Sequence, residues 1–262
     1  MQEFIDKRAK QVTTFTIKKQ VSALRSYWDW LVSKDTTLRS REPFEDIAWP
    51  KTVRVRLEPT HADFVTSDDD GKGPRFTPEQ ACALWEAANA KGNIGLRDAC
   101  VIAAYTGIRR ESTSTLHRKT VDLDAPTPHI HLDDKSEAGK RVVPVLATLL
   151  PILKRRLANQ TPDGYLFHGG KNLIGSRGAR LTNPMRDLLT AHGFGKGYGF
   201  HSFRRTMIDM LHQDSVKESH AAKLVGHEIQ TMTYGVYAGR LPMEQSLDIL
   251  VSALRYPRPA AF

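Results

Sequence analysis

Apolar residues recur near a 3.6-residue spacing over residues 1–34, where Phe4, Ile5, Ile17, Val21, Leu24, Trp28 and Leu31 share a stripe that Lys18, Lys19 and Arg25 avoid. The pattern predicts helix, clearest over TIKKQVSALRSYWDWL, with Trp28 and Trp30 as core and rim aromatics rather than base-stacking platforms. From Pro43 to Pro74 the periodicity fades. Pro43, Pro50, Pro59, an Asp68-Asp69-Asp70 run and Gly71-Lys72-Gly73-Pro74 punctuate the chain, which reads as an interdomain linker. Helix resumes at Thr77-Pro78-Glu79-Gln80, with Thr77 as N-cap, Pro78 in the first turn and Gln80 closing a capping box.

Past that start the periodicity predicts a helix over about 78–91, a second ending at Tyr105-Thr106-Gly107, and a short one from Arg109 through Leu116. Between Thr120 and Val145 the period changes to that of short strands, VDLD, HIHL and KRVVPV, with a turn-like SEAG between the last two. Helices return over Leu149–Leu157 and from Asn183, His201, Lys217 and Pro242. The predicted fold is mainly α with a small antiparallel β-sheet. Its predicted organisation is a helical segment over 1–60, a linker over 61–75 and a larger domain over 76–262.

Composition narrows the function. Hydrophobic residues make up 40% of the 262, and no apolar run approaches the roughly 18 residues that would span a bilayer. The N-terminus MQEFIDKRAK lacks a signal-peptide core, so a cytoplasmic protein without a membrane partner is expected. Cys82 and Cys100 both fall in apolar helical patterns and read as buried thiols. A net charge of +9 favours nucleic acid as partner, because Lys and Arg release counterions from phosphates.

Several residues suit phosphate chemistry. Gly107 before Ile108-Arg109 lets the backbone come close and aims a guanidinium at a helix start. The hairpin around Asp134-Lys135-Ser136-Glu137-Ala138-Gly139-Lys140 carries two lysines, either of which can swing toward a departing oxygen and protonate it. His201 and Arg204 lie three apart on one helix face. Gly226-His227 and then Tyr234 and Tyr237 follow. Zinc is a poor reading: no second histidine follows His227 at helical spacing, and His129-x-His131 has no third ligand.

In that order and at similar separations, TGIRRE, KSEAGKRVVPV, HSFRR, LVGHE and the terminal tyrosine resemble the tyrosine recombinases, the DNA integrases of phages and mobile elements. The resemblance covers residues 75–254 as the catalytic domain, and the 16–34 helix is similar to the last part of the core-binding domain that precedes it. About 60 residues ahead of the linker imply a truncated core-binding domain. The resemblance implies catalytic roles for Arg109, Lys135, His201, Arg204, His227 and Tyr237. Tyr237 is the nucleophile, forming a 3′-phosphotyrosine intermediate on double-stranded DNA. Tyr234 and Lys140 are the rivals of Tyr237 and Lys135. Ser112 stands where the family usually has an acidic residue, with Glu111 one place earlier, and Arg110 and Arg205 are expected to face DNA or solvent. No cofactor and no metal are implied. A homotetramer on two duplexes is, with the tail after Tyr237 packing on a neighbour or else forming the last core helix of its own domain. The competing functions are relaxation of DNA in the manner of a type IB topoisomerase and a DNA-binding accessory protein without catalysis.

Overall fold

A computed structural model of the chain describes residues 1–12, 14–35, 37–38, 42–50, 73–133, 140–169, 177–226 and 241–257. Contacts divide the chain into two compact units, Met1–Thr60 and His61–Phe262. In the first, α1 (Gln2–Ala9) and α2 (Thr14–Lys34) are separate helices, where the apolar stripe suggested continuity. The N–H groups of Gln11 and Val12 both turn back to the Arg8 carbonyl and close α1. The β-branched sequence Val12-Thr13-Thr14 does little to prolong it. Ile5, Ile17 and Val21 bury against Phe44, which a short 3-10 turn at Glu42–Phe44 presents, and Trp28 meets Phe44 edge-on at 6.4 Å. Phe44 and Ile47 therefore belong to a core, although the sequence around them reads as linker. Trp30 is 53% exposed and stacks on Tyr27. The expected 61–75 linker lies, as far as residue 72, outside the described residues.

The first described helix of the second unit starts at the predicted residues. Thr77 Oγ1 accepts the Gln80 N–H at 3.2 Å and the Gln80 side chain accepts the Thr77 N–H at 2.9 Å, so α3 (Pro78–Ala90) starts on a closed capping box. Such a cap is worth about 1 kcal/mol. Next, α4 (Ile94–Thr106) is buried on every side from Leu96 to Thr106, as a central core helix must be. It leads into α5 (Arg110–Ser114) and an antiparallel sheet of β1 (Val121–Asp122), β2 (His129–Leu132) and β3 (Arg141–Pro144), in that order. Its register pairs Ile130 with Val121 on one side and Val143 on the other, which stacks the three inward side chains. The remaining helices are α6 (Leu150–Ala158), α7 (Ala179–Ala191), α8 (Phe200–Gln213), α9 (Glu218–Val225) and α10 (Met243–Ala253).

Two details differ from the sequence reading. Asn183-Pro184 resembles a cap and first turn, yet α7 starts four residues earlier and holds Pro184 inside. The Glu111 carboxylate takes the N–H groups of Arg177 and Gly178, both at 3.0 Å, and so caps the earlier start from a distant element. In α10, Leu250, Ala253 and Leu254 are buried in this same unit. Tyr256 inserts beside Trp85 and Tyr105, with its hydroxyl donating to the Ala104 carbonyl at 3.0 Å. Of the two roles open to the tail, the structure has the last core helix. Both cysteines are buried free thiols, as expected. Among the described residues, no helix is long and apolar enough to cross a membrane.

Candidate active site

The site is built around Gly107. Helix α4 ends there in the left-handed conformation (φ 61°), and the Gly107 N–H closes on the Ala103 carbonyl at 2.9 Å. Ile108 then buries, and the chain delivers Arg109, half-buried, as the cap residue of α5. The Gly107 carbonyl accepts the Arg204 Nη1–H at 2.7 Å, and Arg204 itself is 3% exposed. One arginine of the site thus holds the turn that aims the other.

Space demands glycine here as much as conformation does. A Cβ at Gly107 would lie 2.8 Å from Met207 Sδ, 3.7 Å from Val225 Cγ1 and 3.8 Å from Arg204 Cγ. Residues from three segments far apart in sequence, Gly107, the Arg204–Met207 turn of α8 and Val225, therefore meet at one point.

His201 is the second residue of α8 and half-buried, on the same helix face as Arg204. The N-terminal end of a 14-residue helix carries partial positive charge, which suits an anion nearby. Thr206 fixes α8 axially: its hydroxyl accepts the Phe76 N–H at 3.1 Å and lies 2.8 Å from the Phe76 carbonyl. Beyond α9, Gly226 again takes a left-handed cap (φ 74°), with its N–H on the Ala222 carbonyl at 2.8 Å. Arg141, at the start of β3, donates its Nε–H to the Leu224 carbonyl at 2.9 Å. The base of the β2–β3 connection is thereby tied to the residues just ahead of His227.

Of the six predicted site residues, the structure places Arg109, His201 and Arg204, bringing the two arginines to one turn. Lys135, His227 and Tyr237 lie outside the described residues, as does Tyr234. Lys140 is exposed directly before β3.

Four supporting residues escaped the sequence reading or were misplaced by it. Glu111 caps α7, as described above, so the shifted acidic residue anchors a neighbouring helix. Arg110 does not simply face outward: its Nη1–H donates to Thr182 Oγ1 at 3.1 Å, joining α5 to α7. Arg205 is half-buried with its guanidinium over Gly73, where a Cβ would collide with it. The Arg141 bond to Leu224 could not be foreseen, because its acceptor is a backbone carbonyl 83 residues away.

Comparison with known proteins matches this arrangement. A tyrosine recombinase of Thermosipho africanus (strain TCF52B) is 22% identical over 212 residues, covering 81% of this chain and 67% of that protein. The integrase of mycobacterium phage Brujita shares the fold with a TM-score of 0.54 at 17% identity, covering 96% of this chain and 76% of that one. The Tn1549 transposon integrase, solved in complex with a circular intermediate DNA, does so with a TM-score of 0.56 at 16% identity, covering 96% and 83%. The profile of the phage integrase family matches residues 74–242, a span that holds every motif meeting at Gly107. The chain belongs to the phage integrase family, the tyrosine recombinases.

Proposed function

We propose that this chain cleaves and rejoins double-stranded DNA at specific sites, with Tyr237 as nucleophile. In the forward step the Tyr237 oxygen bonds to a backbone phosphorus while the bond from phosphorus to the 5′-oxygen breaks. His201 accepts the phenol proton, and Lys135 gives a proton to the departing 5′-oxygen. Arg109 and Arg204 receive the charge that builds on the non-bridging oxygens, with His227 donating a further hydrogen bond. The 3′-phosphotyrosine keeps the energy of the broken ester. A 5′-hydroxyl from a partner strand can then reverse the step without an outside energy source.

The observation that carries this reading is the convergence on Gly107, which sets Arg204 against the turn presenting Arg109. Two guanidiniums at one turn favour an anion bound between them, because it relieves their mutual repulsion. Family membership supports the reaction class, and the DNA in the Tn1549 integrase structure supports duplex DNA as partner. A homotetramer on two duplexes completes the proposal. Because α10 and Tyr256 pack in their own unit, a tail that reached a neighbour would first have to leave the Trp85–Tyr105 pocket.

The test works without a defined target sequence. Protein incubated with a pool of randomised duplexes, denatured and recovered, carries any covalently captured DNA end, and sequencing those ends defines the site. On a nicked version of that site the unaltered chain accumulates adduct and Tyr237→Phe does not. Adduct retained by Tyr237→Phe but lost by Tyr234→Phe would move the nucleophile. No adduct from the unaltered chain on any pool would remove the proposal.

A further inference from the structure

At the opposite end of α4 from Gly107, about 20 Å away along a 13-residue helix at roughly 1.5 Å per residue, the catalytic unit holds a second basic site. A cavity of about 320 Å³ is lined there by Asn93, Gly95, Arg156, Phe167, Arg177 and Arg180 among others, and none of its described lining residues carries a carboxylate. Arg177 is 9% exposed, its guanidinium lies 3.8 Å over the Tyr165 ring, Nη2 donates a long bond to the Phe167 carbonyl at 3.4 Å, and its buried Nε–H meets no acceptor among the described residues. The carboxylate paired with it, Asp163, is 3.8 Å from Nη1 and largely in solvent.

Behind the cavity several arginines gather on one acid. Buried Asp98 is shared by Arg97 at 2.7 Å, Arg155 at 2.7 Å and Arg156 at 2.6 Å, so one carboxylate faces three guanidiniums. Arg156 is held by Asp98 through Nε and by the Ile94 carbonyl through Nη2. It is therefore fixed in place, with its guanidinium 4.9 Å over the Phe167 ring that lines the cavity. The start of α4 contributes as well: Asn93 caps the Leu96 N–H at 3.0 Å, and a Cβ at Gly95 would meet nothing closer than 3.7 Å. Arg156 Nη2 lies 4.0 Å from that same point, so the guanidinium stands directly beside the helix start.

We propose that this cavity binds a phosphate group, with Arg177 and Arg180 as its main donors and Arg156 and the start of α4 completing the positive field. The phosphate comes either from a DNA backbone position away from the cleaved bond or from a free phosphorylated small molecule. The site does not depend on the choice of Tyr237, and its failure would leave the cleavage chemistry untouched.

The full chain titrated calorimetrically with inorganic phosphate, with ionic strength held by chloride, separates the sources. For a free phosphate the expected result is saturable binding, weakened at least tenfold by Arg177→Met and by Arg180→Gln. Arg255→Gln leaves it unchanged, since that arginine pairs with Asp214 at 3.1 Å elsewhere. For a DNA phosphate, any inorganic phosphate bound, as between Arg109 and Arg204, is held equally well by Arg180→Gln. Instead each of the two substitutions lowers the slope of log affinity against log salt for duplex DNA by about 1, and Arg255→Gln does not. Because Arg177 packs on Tyr165 and its loss can unfold the loop, the exposed Arg180→Gln carries the decision. The proposal is overturned if Arg180→Gln leaves both the phosphate affinity and the DNA salt slope equal to those of the unaltered chain. It is equally overturned if Arg255→Gln changes binding as much as Arg180→Gln does.

Discussion

The two units spend their apolar side chains differently. The first buries Ile5, Ile17, Val21 and Phe44 and leaves Tyr27 and Trp30 more than half exposed, at 59% and 53%. The second closes one continuous core from Phe76 to Tyr256 around α4. A core of the first kind barely offsets the entropy of ordering its helices. One of the second kind can hold charged groups rigidly out of water. That is where Arg204 is found, 3% exposed on the Gly107 carbonyl. Cationic chemistry has been placed where packing can fix it, and the marginal unit is left with exposed aromatic surface.

Truncating one core residue in each unit tests this difference at its largest. Trp85→Ala, which removes a fully buried ring from the Tyr105–Tyr256 cluster, should cost about 3–5 kcal/mol and shift the main thermal transition. Phe44→Ala should leave that transition in place and alter only the helical signal of the first unit. A common transition shifted by both substitutions would break the comparison.

Arg204→Gln comes next. It removes a charge-assisted bond inside the second core, for about 1.5–3 kcal/mol of stability in chemical denaturation. It should also lower the rate of DNA cleavage on the order of 10²–10³-fold. Arg109→Gln, half-buried, should lose a similar factor in rate with little change in stability.

Alkaline pH acts on the same core. Burial pushes the Tyr105 phenol up to about 12, with the neighbouring Cys82 adding to the rise and a Thr148 hydrogen bond opposing it. Burial, then the Tyr105 charge, raises Tyr256 as well. A pKa raised by folding gives stability that is complete below the unfolded value near 10 and lost as pH climbs toward the folded value. Stability should therefore fall above pH 10 by up to about 1.4 kcal/mol per pH unit for each phenol. Tyr256→Phe should flatten that slope in denaturation at pH 9 to 11. The smallest effect expected is that of Glu111→Gln, about 1 kcal/mol, with amide exchange accelerating at Arg177 and Gly178.

Local physics made much of this legible in the sequence. The Thr77 capping box, the three short strands and the glycine stop at Gly107 all depend on neighbours within a few residues, and all were readable. What was not readable depends on distant partners. The true start of α7 is set by Glu111, 66 residues before Arg177, and outweighs the local Asn183-Pro184 signal. The break between α1 and α2 was hidden because Ile5, Ile17 and Val21 bury in one cluster on both sides of it, so the apolar stripe runs on across the break. At the candidate site, motif order indicated which residues belong together. Only the fold placed Arg204 on the Gly107 carbonyl and gave Glu111 its partner.

The account stands most directly on the identity of the DNA-linked residue. Trypsin digestion of the trapped adduct, nuclease trimming and fragmentation mass spectrometry of the peptide LVGHEIQTMTYGVYAGR would locate the attached nucleotide. The account predicts a 3′-phosphate on Tyr237, with adduct forming on the order of 10²–10³-fold more slowly when Arg109 or Arg204 is replaced by Gln. A nucleotide on Tyr234, a 5′-linkage, or adduct formation undiminished by loss of both arginines would contradict it.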